Sequence, residues 1–337
     1  MGRPLIALIL SVFILGCSEP ELPAANPLRA EPGQLSQIPY LQQGTLAVVT
    51  KRELLLPATE HHRELALSLF YPQQGDHYPL IFFSHGNWSS KDKYDKVIQY
   101  WVSHGYVVIA PNHLDCCSRV NGILNSVRYG NFGLIEQRVK DFRYLLDKFG
   151  LLEQLEPDFK GKADLNQIAL AGHSFGAFTA QQFGGAGSFN TDDNSYHFNK
   201  DDRVKAIVAL SPPGPMFDEI TAQSWQQLSV PTFNSTGTWD TDKYFFTQWQ
   251  LHQMAFNTAV AGHNYSLVTQ GADHYLGNLI CRPERDVAPQ QDALMLLNAT
   301  STAFLAAYLK QDPQARAFLQ SRQLQQLTAG FSSLEHR

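Results

Sequence analysis

The sequence predicts an α/β fold, a doubly wound and mostly parallel sheet covered by helices, and three observations carry that expectation. Residues 80–83, 106–110 and 204–210 form short runs that are apolar almost throughout, as strands covered on both faces must be. Longer segments with a helical apolar stripe alternate with such runs. Glycine and proline punctuate the joins, Gly105 closing a helix and Pro111 a strand. Of the 337 residues, 44% are hydrophobic and 17% charged, which supports a large core and argues against disorder. Lys and Arg number 26 against 31 Asp and Glu, with no basic cluster, so a nucleic-acid backbone is not an expected partner. Four cysteines in this length exclude a disulfide-framework module.

The amino terminus reads as an address. Arg3 precedes an apolar run over residues 5–15 that only Ser11 interrupts. That run is too short to span a bilayer as a helix and fits a secretory signal over residues 1–16. Ile14-Leu15-Gly16-Cys17 resembles a bacterial lipobox. The resemblance implies cleavage after Gly16 and a lipid on Cys17. With Ser18 following, it also implies anchorage at the outer membrane of the cell envelope. Residues 17–43, rich in Pro, Ala, Gln and Glu, are expected to form a flexible tether, and residues 44–330 one catalytic domain.

Within that domain, residues 46–49 and 64–71 read as early strands and 80–83 as a fully covered one. Residues 91–104 carry Tyr94, Val97, Ile98, Trp101 and Val102 on one helical face. Strand 106–110 and helix 132–152 follow, then strand 167–171 and helix 175–183. Residues 204–210, 232–235 and 265–268 read as the closing strands, the last of them before an amphipathic helix over 292–310. The acidic stretch 192–202 reads as a solvated loop, since its spacing matches no calcium-binding hand. Between Ser211 and Val230 only one short helix fits, so no cap domain is expected and the site should be an open cleft.

The chemistry centres on Gly172-His173-Ser174-Phe175-Gly176, placed directly after a strand and before a helix. That is the setting of a nucleophile elbow, in which two glycines let strand and helix approach and the serine hydroxyl stands exposed. The Phe175 amide, at the start of the helix, is free to donate to an oxyanion. Ser84-His85-Gly86-Asn87-Trp88 follows another strand and offers the Asn87 amide as the second donor, with His85 structural. A serine needs a base, and His274 in Gly271-Ala272-Asp273-His274-Tyr275 stands after the last expected strand. His263 and His252 compete less well, one preceding that strand and the other inside a helix-like segment. The orienting acid is expected at Asp240, where Gly237-Thr238-Trp239-Asp240 ends a strand, ahead of Asp242 and Asp218.

The order Ser174, Asp240, His274 is that of the α/β-hydrolase superfamily, which residues 46–310 resemble. Phe83-Ser84-His85-Gly86, Ser103-His104-Gly105-Tyr106-Val107-Val108, the elbow, and Arg138-Val139-Lys140-Asp141 before Leu145-Leu146-Asp147 resemble the platelet-activating-factor acetylhydrolase and dienelactone hydrolase group. The resemblance implies a serine esterase that uses an acyl-enzyme and neither cofactor nor metal. In the acetylhydrolases the acid follows the strand matching 204–210; here that place reads Ser211-Pro212-Pro213, and the acid moves one strand on. A serine peptidase or amidase, a phospholipid acetylhydrolase, and a non-catalytic binding protein on the same fold are the alternatives. Trp88, Trp239 and Tyr275, with Phe175, are expected to edge the cleft and bind the ester. Cys281 is expected to pair with Cys116 or Cys117, because the side chains of adjacent cysteines diverge.

Overall fold

A computed structural model describes residues 22–60, 62–243 and 245–337, so the expected signal and Cys17 lie outside the described residues. The elements are α1 (Pro32–Leu35), β1 (Val48–Leu56), β2 (Leu65–Pro72), β3 (Tyr78–Ser84), α2 (Asp95–Ser103), β4 (Val107–Pro111), α3 (Arg119–Asp147) and α4 (Phe149–Leu155). Then come β5 (Ala163–His173), α5 (Phe175–Gly184), β6 (Gly187–Asn190), β7 (Ser195–Phe198), β8 (Val204–Leu210), β9 (Thr232–Trp239) and α6 (Met254–Thr258). The chain closes with β10 (Asn264–Asp273), α7 (Gln291–Leu309), α8 (Pro313–Leu319), α9 (Gln323–Leu327) and β11 (Ser332–His336).

Nine strands form one sheet in the order β1-β2-β4-β3-β5-β8-β9-β10-β11. The six from β4 to β10 run parallel, and antiparallel strands flank them on both sides. This is the α/β fold the sequence predicts. Strand β3 shows why its residues are uniformly apolar: Ile81 and Phe83 enter the core shared with α2 and α7, while Leu80 and Phe82 enter the one shared with α3, α4 and α5. The carboxyl ends of β3, β5, β9 and β10 therefore all open on one edge of the sheet, where open α/β folds bind ligands.

Several elements differ from expectation. Helix α7 is buried on nearly all sides rather than amphipathic. It is long and apolar enough to cross a membrane, yet it packs between the sheet, α2 and α8. Two of its hydroxyl groups turn back onto the helix backbone, Thr302 and Ser301 both donating to the Asn298 carbonyl. The 192–202 stretch contains the tip and second strand of a hairpin, β6 pairing with β7. Residues 265–268 are not the last strand, because β11 pairs antiparallel to β10 at the sheet edge and carries the domain past residue 330.

Nor does the expected tether hang free throughout. Ile38 is buried, the Tyr40 hydroxyl donates to Asp312 at 2.6 Å, and the Trp239 indole N–H donates to the Pro23 carbonyl at 2.7 Å. Helix α3 is broken at Gly130, whose φ of 67° and ψ of 171° are not helical. It also begins well before residue 132, capped by the Ser118 side chain on the Asn121 amide.

Candidate active site

Strand β5 delivers the elbow. A Cβ on Gly172 would stand 2.2 Å from the Gly176 carbonyl oxygen, and one on Gly176 would stand 2.1 Å from that of Ser84. Both positions therefore exclude any side chain, and strand, turn and helix close to contact. Ser174 takes up the turn with φ 54° and ψ −125°, a conformation L-residues avoid at a cost of about 1–3 kcal/mol. Its amide is held by the Leu210 carbonyl at 2.8 Å, and its own carbonyl accepts from Ala177 at 2.8 Å. Phe175 is the first residue of α5, so its amide has no partner within the helix.

The loop after β3 lies beside the elbow on a buried ionic support. Arg138 of α3 donates Nε and Nη2 to the two Asp115 carboxylate oxygens at 3.0 and 2.6 Å. Its Nη1 donates to the His85 carbonyl at 2.7 Å, and its guanidinium covers the Phe175 ring at 4.7 Å. Burial pushes the Asp115 carboxyl up, but the Arg138 charge outweighs it and holds the group well below the usual range. His85 donates Nδ1–H to the Gly86 carbonyl and accepts the His113 amide at Nε2, so it is a buried neutral structural imidazole. Burial, with Arg138 next, lowers its pKa further. His113 joins Ser84 at 2.9 Å to Asp141 at 2.7 Å, and Asp141 also receives His62 and Arg63. The Asn87 amide, held on this support, has no hydrogen-bond partner among the described residues. Trp88, at φ 60°, lays its ring on Gly122, where a Cβ would overlap it at 1.7 Å.

Asp240 and His274 come together from the ends of β9 and β10. His274 Nδ1 lies 2.7 Å from Asp240 Oδ1, and the Thr236 hydroxyl donates to Oδ2 at 2.9 Å. The carboxylate is buried, while the imidazole side chain stays 14% exposed toward the cleft. Burial pushes Asp240 up, but the charges of His252 and then His274 prevail and hold it well below the usual carboxylate range. Burial, only partly offset by Asp240, lowers His274. His173, the residue before Ser174, fixes the His274 backbone by donating Nε2–H to its carbonyl at 2.8 Å. Its Nδ1 then accepts from the Tyr94 hydroxyl at 3.2 Å, which itself accepts the Gly86 amide at 2.8 Å. One relay thus ties the loop after β3 to the loop after β10. Burial keeps His173 neutral, with its pKa lowered to about 4.

Ser174, Asp240 and His274 line one cleft of about 610 Å³, together with Asn87, Trp88 and Tyr275. Trp239 does not join them. Its indole is drawn to Pro23 and lines a separate hollow with Ala25 and Pro27, a placement that strand-end position alone could not reveal. His263 pairs with Tyr308 away from the cleft, Asp218 is exposed outside it, and Asp242 lies on its rim. The expected bridge from Cys281 is not formed. Cys116 and Cys117 are bonded to each other, because a left-handed backbone at Cys117, φ 77°, removes the divergence of adjacent side chains. Cys281 is buried and free, its thiol turned toward Gly86. The residue the sequence reading passed over is His252. It sits in the 3-10 turn Trp249–Gln253, which aims its ring inward so that Nε2 lies 3.0 Å from Asp240 Oδ1. Asp240, His252 and His274 bring ligand-type atoms within 4.8 Å of one another. The shared carboxylate oxygen makes this one acid serving two imidazoles.

Comparison with known proteins covers part of this architecture. Residues 40–186 match the family model described as Chlorophyllase. That stretch carries the loop after β3 and the elbow, but neither Asp240 nor His274. The chain is also 24% identical over 274 residues to the platelet-activating factor acetylhydrolase of Cavia porcellus, an alignment covering 71% of this chain and 59% of the relative. Each similarity covers only part of the chain or of the relative, and both fall on the α/β fold described above.

Proposed function

We propose that this protein is a serine carboxylic-ester hydrolase working through Ser174, Asp240, His274 and an acyl-enzyme. The observation that carries the reading is the 2.7 Å contact of His274 Nδ1 with the buried Asp240 carboxylate, in the same cleft as the elbow serine. The carboxylate accepts Nδ1–H and so leaves Nε2 as the basic nitrogen. His274 takes the Ser174 proton as Oγ attacks the ester carbonyl. The Asn87 and Phe175 amides receive the oxyanion, each such donor being worth roughly 10²–10³ in rate. His274 then protonates the leaving alcohol, and a water activated by the same nitrogen releases the acid.

An apolar compartment of about 300 Å³ adjoins the cleft at Asn87 and Trp88 and is walled by Ile123, Val127, Leu134, Phe175 and Phe217. It suits an apolar chain of the substrate. The name of the acetylhydrolase relative makes platelet-activating factor a substrate to test. On the lipobox resemblance at Cys17 we also propose a lipid-anchored protein of the bacterial envelope, tested by incorporation of a fatty-acid probe that a Cys17→Ser variant should lose.

The discriminating experiment pairs 4-nitrophenyl esters with the matching 4-nitroanilides. Ester cleavage, with a serine-reactive fluorophosphonate attached to the Ser174 peptide, is the expected result. Anilide cleavage at comparable rates would favour an amidase, and labelling elsewhere would remove Ser174 from the mechanism.

A further inference from the structure

We propose that His252 is a positioning residue that carries protons on both ring nitrogens, clamps the Asp240 carboxylate from the side away from His274, and sets the pH at which His274 becomes a base. The proposal rests on the reading of Asp240 and His274 as the acid–base pair.

Proton counting on the geometry leads there. His252 is fully buried. Its Nδ1 lies 2.7 Å from the Pro212 carbonyl oxygen, which can only accept, so Nδ1 bears a hydrogen. Its Nε2 lies 3.0 Å from Asp240 Oδ1. That carboxylate already receives His274 Nδ1 on the same oxygen and the Thr236 hydroxyl on the other, so it is ionised and acceptor-only. A neutral His252 would set its electron-rich Nε2 3.0 Å from a buried carboxylate oxygen, an unfavourable contact. A hydrogen on Nε2 makes it attractive, and the ring is then an imidazolium. The approach to Oδ1 is oblique, outside good hydrogen-bond direction, so the attraction is chiefly one of charge. The pairing with Asp240 raises the His252 pKa against the opposing effect of burial.

The surroundings leave few other influences. Asp240 and His274 face the His252 ring, the latter at 5.6 Å between centroids, and Phe246 covers it at 4.4 Å. Around His274 stand Asp240, His252, the neutral His173 ring at 4.6 Å and Tyr275 at 5.0 Å, while Asp242 and Arg282, the latter on the Asn87 carbonyl, line the same cleft. His252 is thus the near cation opposing protonation of His274. One carboxylate charge is shared between two imidazoles, so His274 gives up its proton at a lower pH than Asp240 alone would allow.

The test is the pH dependence of kcat/KM for a neutral 4-nitrophenyl ester. His252→Gln removes the charge and keeps a donor. Its acidic limb is expected to move up by about one pH unit, as a unit charge at this separation implies. KM should change less than about twofold, and the plateau kcat should fall less than about tenfold. A merely structural role would lower kcat without moving the limb, so an unmoved limb in folded His252→Gln overturns the proposal. Should that variant not fold, the ¹⁵N-histidine spectrum of the wild-type protein at neutral pH decides. Two protonated nitrogens on His252 support the proposal, and one overturns it. Failure of the underlying reading looks different, since Asp240→Asn would then retain activity whatever His252 does.

Discussion

The two sides of Ser174 are built to different standards. The loop after β3 rests on Arg138, Asp115, His85, His113 and Asp141, every one fully buried and paired. The acid–base side has one carboxylate, two imidazoles and Thr236, with His274 reaching into the cleft from a loop. The first side binds its charges into the fold. The second holds His274 by its backbone through His173 and by Nδ1 through Asp240, and leaves its other ring nitrogen toward the cleft to gain and lose a proton. Substitutions on the first side should therefore cost folding, and those on the second turnover.

The sharpest break comes at the proposed nucleophile. Ser174→Ala should cut ester turnover by about 10⁵-fold or more with an unchanged melting curve, read from initial rates and circular dichroism. More than about 1% residual activity in folded protein would contradict the role. Next, Asp240→Asn should lower kcat by about 10³–10⁴-fold, while Asp242→Asn on the rim changes it less than about threefold. Equal losses would remove Asp240 from the role of the orienting acid.

On the other side, Arg138→Met should destabilise the protein by about 3–5 kcal/mol, because Asp115 is left buried and unpaired. Replacing both, as Arg138→Met with Asp115→Leu, should recover much of the loss in denaturant melts. The smallest effect concerns acid stability. Burial alone would raise the Asp141 carboxyl, but His113 and His62 bring it down to about 2. Its contribution is then full above the ordinary carboxylate range and lost as pH falls through about 2, amounting to about 2 kcal/mol. The stability gap between wild type and Asp141→Asn should accordingly narrow between pH 4 and pH 2; a constant gap would mean that Asp141 does not titrate with unfolding.

The same contrast governs what could be read from the chain. The elbow and the loop after β3 are contiguous in sequence, so strand, turn and glycine spacing expose them directly. Asp240 and His274 could be placed by chain order, each at the end of an expected strand, although β9 itself is mostly polar. His252 has no local signal, because its value comes from a 3-10 turn that aims it at a residue from another strand. The burial of α7 was hidden by Ser301 and Thr302, which look polar until their hydroxyls are followed back to the Asn298 carbonyl. Trp239 was misplaced because its partner, Pro23, belongs to a segment with no periodicity. The hairpin did leave a trace, the alternation of residues 195–198 beyond Asn194, whose φ of 57° makes the turn.

Gly130 makes α3 two helices in energetic terms. Beyond it, Leu134, Ile135, Val139 and Phe142 bind the chain to the core. Before it, Gly122 under the Trp88 ring is the buried residue, and Val120, Leu124 and Val127 stand 70%, 64% and 83% exposed. The Ser118 cap, the Gly122 contact, Arg119 on the Trp88 ring and the Asn121 and Asn125 bonds to the Leu114 and Cys116 carbonyls hold the first half, with little apolar burial beside them, so it is expected to open before the rest of the domain. Its amides should exchange with solvent well before those of residues 138–145. Because Ile123 and Val127 wall the apolar compartment, the width of that compartment fluctuates with temperature on the timescale of a local helix–coil equilibrium, while the elbow beside it stays fixed.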